Sequence, residues 1–237
     1  MDSKNRWYRT FKSGDLQFYR VKLEQSDLYI GTRERLDGKA REACKEARDL
    51  ILAEIRERPE FLTSLEPLEA GFKPYPVDGM YRFSALAGVG PMASVAGAVA
   101  EYVGRQLAEP GGDVIVENGG DIYIDSSVER RIAVYAGDSP VSGKVAVVIP
   151  PGRWGVCTSA GKVGPSLSFG RADAAMVVSG SAILSDAVAT KLGNMIKTGQ
   201  DLQQAVGEIL GIPGVTGALG VCSGVAAAAG QLQLAGL

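Results

Sequence analysis

Apolar and polar positions alternate with a period that changes several times along the chain, and each change marks an element. Trp7–Lys12, Leu16–Leu23 and Asp27–Gly31 are short runs rich in aromatic and branched residues. The turn-formers Ser13-Gly14-Asp15 and Gln25-Ser26 divide them, which predicts an antiparallel meander. From Asp37 to Arg58 the period becomes helical: Ala40, Ala43, Cys44, Ala47, Leu50, Ile51 and Ile55 recur at i, i+3, i+4, and Pro59 closes the run. The opposite face carries mixed charges and reads as a solvated helix surface. Phe61 to Arg82, broken by Pro67, Gly71, Pro74, Pro76 and Gly79, predicts an irregular connection. A second helix is expected from Pro91 to Leu107, with Pro91 in the first turn where its missing N–H costs nothing. Ala93, Ala96, Gly97, Ala98 and Ala100 crowd this helix with small side chains, so a neighbour must approach closely; sheet backbone is the expected one.

In the second half, Asp113–Glu117 and Asp121–Asp125 flank the turn Asn118-Gly119-Gly120. Ile132–Tyr135 and Lys144–Ile149 read as strands. Trp154 to Gly161 leads into a Gly/Ser-rich loop reaching Gly170. A strand at Ala172–Ser179 then feeds a helix from Ser181 to Ile196, and a short helix follows at Leu202–Leu210. Ile212–Leu237 has no charged residue, but Pro213 and repeated glycines break it. It predicts buried strands rather than a spanning helix, which wants about 20 predominantly apolar residues. Strand meanders interrupted by long helices predict an α+β fold, built as one unit of 237 residues with two closely packed halves as the alternative organisation.

Composition sharpens this picture at three points. Net charge is −2 and the basic residues are interleaved with acids, so nucleic acid is not an expected partner. The start of the chain, Met1 to Thr10, is polar, and the three cysteines, Cys44, Cys157 and Cys222, lie far apart. Together these point to a reducing, cytoplasmic setting without a membrane. There is no histidine, which removes Ser-His-Asp and Cys-His catalysis, HExxH zinc sites and any imidazole acid–base pair.

The remaining candidates for chemistry are few. Asp186 and Thr190 stand four apart on one helix face and offer two hard oxygens suited to Mg²⁺; a structural role at a helix end is the alternative. Asn118-Gly119-Gly120-Asp121 either reverses the chain as a hairpin turn or lets a ligand touch the backbone, with Asp121 as acceptor. Thr158 and Ser159 either end a strand or present hydroxyls and N–H groups to a phosphate or ring carbonyl. Cys157 is either a small core residue or a reactive thiol. Asp173 is a base or a partner for Arg171, with nothing local to decide.

Three of these segments stand in the order of the ApbE-like superfamily of flavin transferases. Glu117-Asn118-Gly119-Gly120-Asp121-Ile122, Cys157-Thr158-Ser159-Ala160-Gly161 and Ser185-Asp186-Ala187-Val188-Ala189-Thr190 resemble that superfamily's NxGGDI, TSG and ADAxAT motifs. Pro59–Pro67 and Gly90–Gly97 further resemble a small bacterial and archaeal branch that is linked to sulfide assimilation into homocysteine. The resemblance implies two T-fold-like halves with a site between them. It also implies FAD as ligand or substrate, Mg²⁺ at Asp186 and Thr190, and FMN transfer to a Ser or Thr of a protein acceptor. A homodimer is compatible with the small-residue helices and uncharged C-terminal segment. One segment departs from the pattern: the transferases' His-x-x-Asp-Pro-x-Thr-Gly stretch is shortened here to Lys162–Arg171, with neither His nor Asp-Pro. An accessory protein that retained the fold, acting through Cys157 or by binding a partner, is the alternative from another class.

Overall fold

In the computed structural model the described residues are 14–109, 112–159 and 170–237. The strand expected at Trp7–Lys12 and most of the Gly/Ser-rich loop before Gly170 lie outside them. Branched and aromatic alternation produces β1 (Gln17–Leu23) and β2 (Ser26–Thr32), paired antiparallel. The helical period then gives α1 (Asp37–Glu57), which buries Ala40, Ala43, Cys44, Ala47 and Ile51. A 3₁₀ turn at Pro91–Ser94 opens α4 (Val95–Leu107), and the hairpin β3 (Val114–Asn118) and β4 (Asp121–Ser126) closes the first half.

The second half repeats that plan. It runs β7 (Gly152–Ser159), β8 (Ala174–Ser179), α5 (Ala182–Met195), α6 (Leu202–Ile209), β9 (Val215–Cys222) and β10 (Val225–Gly230). Two strand pairs enclosing helices thus occur twice, although the sequence shows no repeat by eye. Pairing of β4 with β7 joins them into one eight-stranded antiparallel sheet, ordered β1-β2-β3-β4-β7-β8-β9-β10. The fold is α+β, as expected.

The sheet is covered on both faces. Val114, Val116, Tyr123, Cys157 and Val177 face the helices, while Ile115, Ile124, Met176 and Val178 face a second, three-stranded sheet. That sheet comprises β5 (Arg130–Ala133), β6 (Val145–Ile149) and β11 (Gln233–Gly236), in the order β11-β6-β5. Double coverage explains why β8 is buried throughout, and apolar up to Ser179, rather than alternating.

Two expectations need correction. The segment Phe61 to Arg82 is not irregular throughout: it begins within α2 (Glu60–Thr63) and contains the first part of α3 (Val77–Ala87), whose apolar face buries Val77, Met80, Tyr81 and Ala87. Pro76 precedes α3, where proline is tolerated. Gly79 sits inside α3 because Ile183 of α5 packs over it; a Cβ there would lie 2.8 Å from the Ile183 side chain. Glycine marks a close contact at this position, not a break. The C-terminal segment is also only partly buried. β9 is enclosed from Gly217 onward, but β10 and β11 are edge strands and largely exposed.

At Gly97 and Gly104 the close neighbours of α4 are not sheet backbone. A Cβ on Gly97 would lie 2.3 Å from the Ala182 carbonyl oxygen and 2.9 Å from Asp186 Cβ, and one on Gly104 would enter the Tyr123 ring. Helix α5 and an aromatic face are therefore what the glycines admit. Gly97→Ala is expected to destabilise the protein by about 1–3 kcal/mol, overpacking outweighing the gain in helix propensity of roughly 1 kcal/mol. Urea unfolding measures it, and an unchanged or higher midpoint would show that the two helices separate freely.

Candidate functional site

The turn between β3 and β4 is a two-residue reversal. Asn118 pairs with Asp121 across it, and Gly119 and Gly120 have φ of 72° and 112°. Positive φ at both central positions is type I′ geometry, supplied here by a Gly-Gly pair with Asn118 as the last strand residue. The Glu117 carboxylate accepts the Gly120 N–H at 2.8 Å, and the Asn118 amide donates to the Ala96 carbonyl at 3.1 Å, tying the turn to the start of α4.

Register then brings Asp121 opposite Cys157 on β7, so both side chains share the helix-facing side of the sheet. Across from them α5 presents Asp186, whose carboxylate accepts the Gly97 N–H at 2.8 Å. One turn further, the Thr190 hydroxyl lies 3.4 Å from the Ala93 carbonyl, a weak donation at best. The Cys157 thiol donates to the Ala182 carbonyl at 3.3 Å. Four elements thus converge: the β3–β4 turn, the end of β7, the N-terminus of α4 and the middle of α5.

The expected helix-end role for Asp186 needs restating. It does not serve its own helix, where the Ser181 side chain faces the Leu184 N–H at 3.5 Å. It caps α4 instead, a helix ninety residues earlier in the chain.

Charge makes this cluster unusual. Asp121 and Asp186 are 9% and 8% exposed, and Glu117 is 1% exposed. Burial pushes the Asp121 carboxyl well up, and the Asp186 and Glu117 charges push it further, against the Cys157 thiol and the Thr158 N–H. Asp186 is pushed up to about 7 by burial, held back by the N–H groups of Gly97 and Ala96. Among the described residues neither carboxylate has an ion-pair partner, whereas the buried Glu54 and Asp113 have Lys73 and Arg130. The Cys157 thiol is likewise pushed well up, by burial first and then by the two aspartates.

Other sequence candidates are placed differently. Thr158 and Ser159 end β7, partly buried and paired with Met176 and Ala175; the residues after them, 160–169, lie outside the described ones. Asp173 joins a different contact: its carboxylate accepts the Ser223 N–H at 2.7 Å and so braces the β9–β10 turn. Of the candidates, the fold gathers Asn118, Gly119, Gly120, Asp121, Cys157, Asp186 and Thr190. Sequence reasoning missed Glu117 and the amides of Ala96 and Gly97. A carboxylate three residues before the second turn glycine was a local signal for Glu117; the amides had none. No group of three or more Cys, Asp or Glu side chains among the described residues is placed to share a metal. A cation here would rest on Asp186 and Asp121, with the Thr190 hydroxyl and water completing its oxygen shell.

The chain and its fold have counterparts among known proteins. A family model described as "AbpE bacteria" matches residues 9–208. The chain belongs to that family. Its relatives include UPF0280 proteins of Methanosphaerula palustris, 41% identical over 190 residues covering 78% of each chain, and of Methanocella arvoryzae, 42% identical over 193 residues covering 75% and 74%. Two solved structures share the fold. The flavin transferase ApbE of Vibrio cholerae has a TM-score of 0.57 at 13% identity over 91% of this chain and 96% of the other. Pseudomonas stutzeri flavinyl transferase ApbE gives 0.54 at 14% identity over 90% and 94%.

The raised carboxyls fix the sign of a pH dependence. A carboxyl whose folded value lies above its unfolded one, 3.8 against about 7 for Asp186, holds its proton more tightly when folded. Its stabilising contribution is complete below pH 4 and is lost as pH rises through 7. In EDTA, the melting temperature of wild type should fall across that window, and Asp186→Asn should flatten the fall. A wild-type curve that rises instead would mean the carboxylate is compensated.

Proposed function

We propose that the protein binds a flavin nucleotide of the FAD type, together with Mg²⁺, at the junction of Asp121, Asp186 and the Asn118–Asp121 turn. The observation that carries this reading is the pair of buried carboxylates with no cation from the described chain. Buried charges are ordinarily paired or ligate a metal, and an all-oxygen donor set of two carboxylates and a hydroxyl suits a hard divalent ion. The fold shared with two flavin transferases supports flavin as the ligand class.

Each residue then has a physical task. Gly119 and Gly120, lacking side chains, let a nucleotide lie against the turn, where open space meets any added Cβ on Gly119. Asp186, anchored by the Gly97 N–H, would hold the cation, with Thr190 beside it. When bound, the metal supplies charge neutralisation for a pyrophosphate. Ser159, two positions after Cys157 on the same face of β7, offers a hydroxyl toward this side, while Thr158 pairs with Met176 on the opposite face. Cys157 keeps its thiol protonated and buried, which is a poor environment for a nucleophile and suits a small core residue. Transfer of FMN to a protein acceptor is the finer extension of this reading.

Calorimetric titration of the purified protein with FAD, with and without Mg²⁺, tests it. Binding should require Mg²⁺ and weaken at least about tenfold in Asp186→Ala and in Asp121→Asn, the loss expected when a charged contact is removed. Absence of binding under both conditions in a folded wild type would leave the fold without its flavin site.

A further inference from the structure

A second concavity lies past the crossing of α4 and α5, and it shares no lining residue with Asp121, Cys157 or Asp186. α3, α4, the first turn of α5 and the loop before β9 enclose a cleft of 520 Å³. Phe83, Leu184 and Pro213 give it apolar walls, and Arg82 and Arg105 bring two guanidinium groups to it.

The charges there are unequally engaged. Glu101 is fully buried, and its carboxylate is satisfied on every side: Arg105 at 2.5 Å, the Ser181 hydroxyl at 2.7 Å and the Ile183 N–H at 3.2 Å. The start of α5 is thereby already filled by a protein anion. Arg105 gives one nitrogen to Glu101 and lies 4.9 Å from the Tyr75 ring centre, leaving other donors of its fork toward the cleft. Arg82 has no carboxylate partner among the described residues; its guanidinium lies 4.3 Å from the Phe83 ring centre. Asp78, one helical turn earlier, is exposed in the first turn of α3, where the helix dipole favours it and water screens it. Tyr75 also lines the cleft, its ring set against the Arg105 guanidinium.

We propose that this cleft binds a small organic anion, a carboxylate or phosphate group on an apolar body. Arg82 is the anchoring charge and Arg105 the second donor. A planar fork matches either anion in bidentate fashion, and an apolar cleft with a few convergent polar groups is the usual form of a small-molecule site.

The test uses the full chain in EDTA with three probes of one shape: benzoate, phenyl phosphate and benzyl alcohol, followed by saturation-transfer NMR and shift titration. At least one of the two anions should bind at millimolar concentration and the alcohol should not; the preferred anion identifies the head group. Arg82→Gln should weaken the anion about tenfold, the scale of a lost charge-assisted contact. Arg82→Lys should weaken it less, because charge survives without the fork. Three results would overturn the proposal: no binding of either anion, equal binding of the alcohol, or unchanged affinity in Arg82→Gln.

Discussion

Helices α4 and α5 cross near their N-termini, and each supplies the carboxylate that the other's first turn needs. Asp186 of α5 accepts the Gly97 N–H of α4, and Glu101 of α4 accepts the Ile183 N–H of α5. A buried helix start without such partners would leave its first N–H groups unmade, and each charge–dipole contact is worth up to about 2 kcal/mol when partly buried. Gly97 makes the exchange possible by letting the backbones touch. Because α4 belongs to the first half of the sheet and α5 to the second, this exchange fixes how the halves sit together. The β4–β7 pairing continues the same junction through the sheet.

The two caps are alike in geometry and unlike in charge. Glu101 is neutralised by Arg105 and the Ser181 hydroxyl, so it serves as structure. Asp186 receives only backbone N–H groups and faces Asp121, a second buried carboxylate. Like charge and poor solvation leave that corner in need of a proton or a cation. The candidate site and the helix packing therefore arise from one arrangement, with its two ends finished differently. The arginine that neutralises Glu101 also brings a guanidinium to the second cleft.

Much of the fold was legible in the chain. Period and turn chemistry located α1, α4, α5, α6 and most strands, because long amphipathic runs and glycine turns are local signals. The segment Phe61–Arg82 is irregular, as read, over residues 64–76, but from Val77 onward Gly79 was misread as a break. Its true context is a helix packed under Ile183, a contact between residues about a hundred positions apart. The C-terminal strands were read as buried because they carry no charge, yet edge position leaves β10 and β11 open. Of the candidate site, Asp121, Asp186 and the Gly119-Gly120 turn were legible as motifs. Which reading of each motif held was not, since Asp186 and Asp173 look equally unremarkable in sequence.

By itself the sequence determined most element types, the absence of imidazole chemistry, the hairpin at Asn118–Asp121 and the helix face shared by Asp186 and Thr190. These depend on residue type and on spacing within a few positions. Only the tertiary structure decided that Asp186 caps α4 rather than α5, that Asp121 meets it beside Cys157, and that Asp173 braces a distant turn instead. Those outcomes depend on strand register and helix crossing, which bring together groups tens of residues apart. Burial, and with it the raised carboxyls that give the site its character, exists only once that packing is complete.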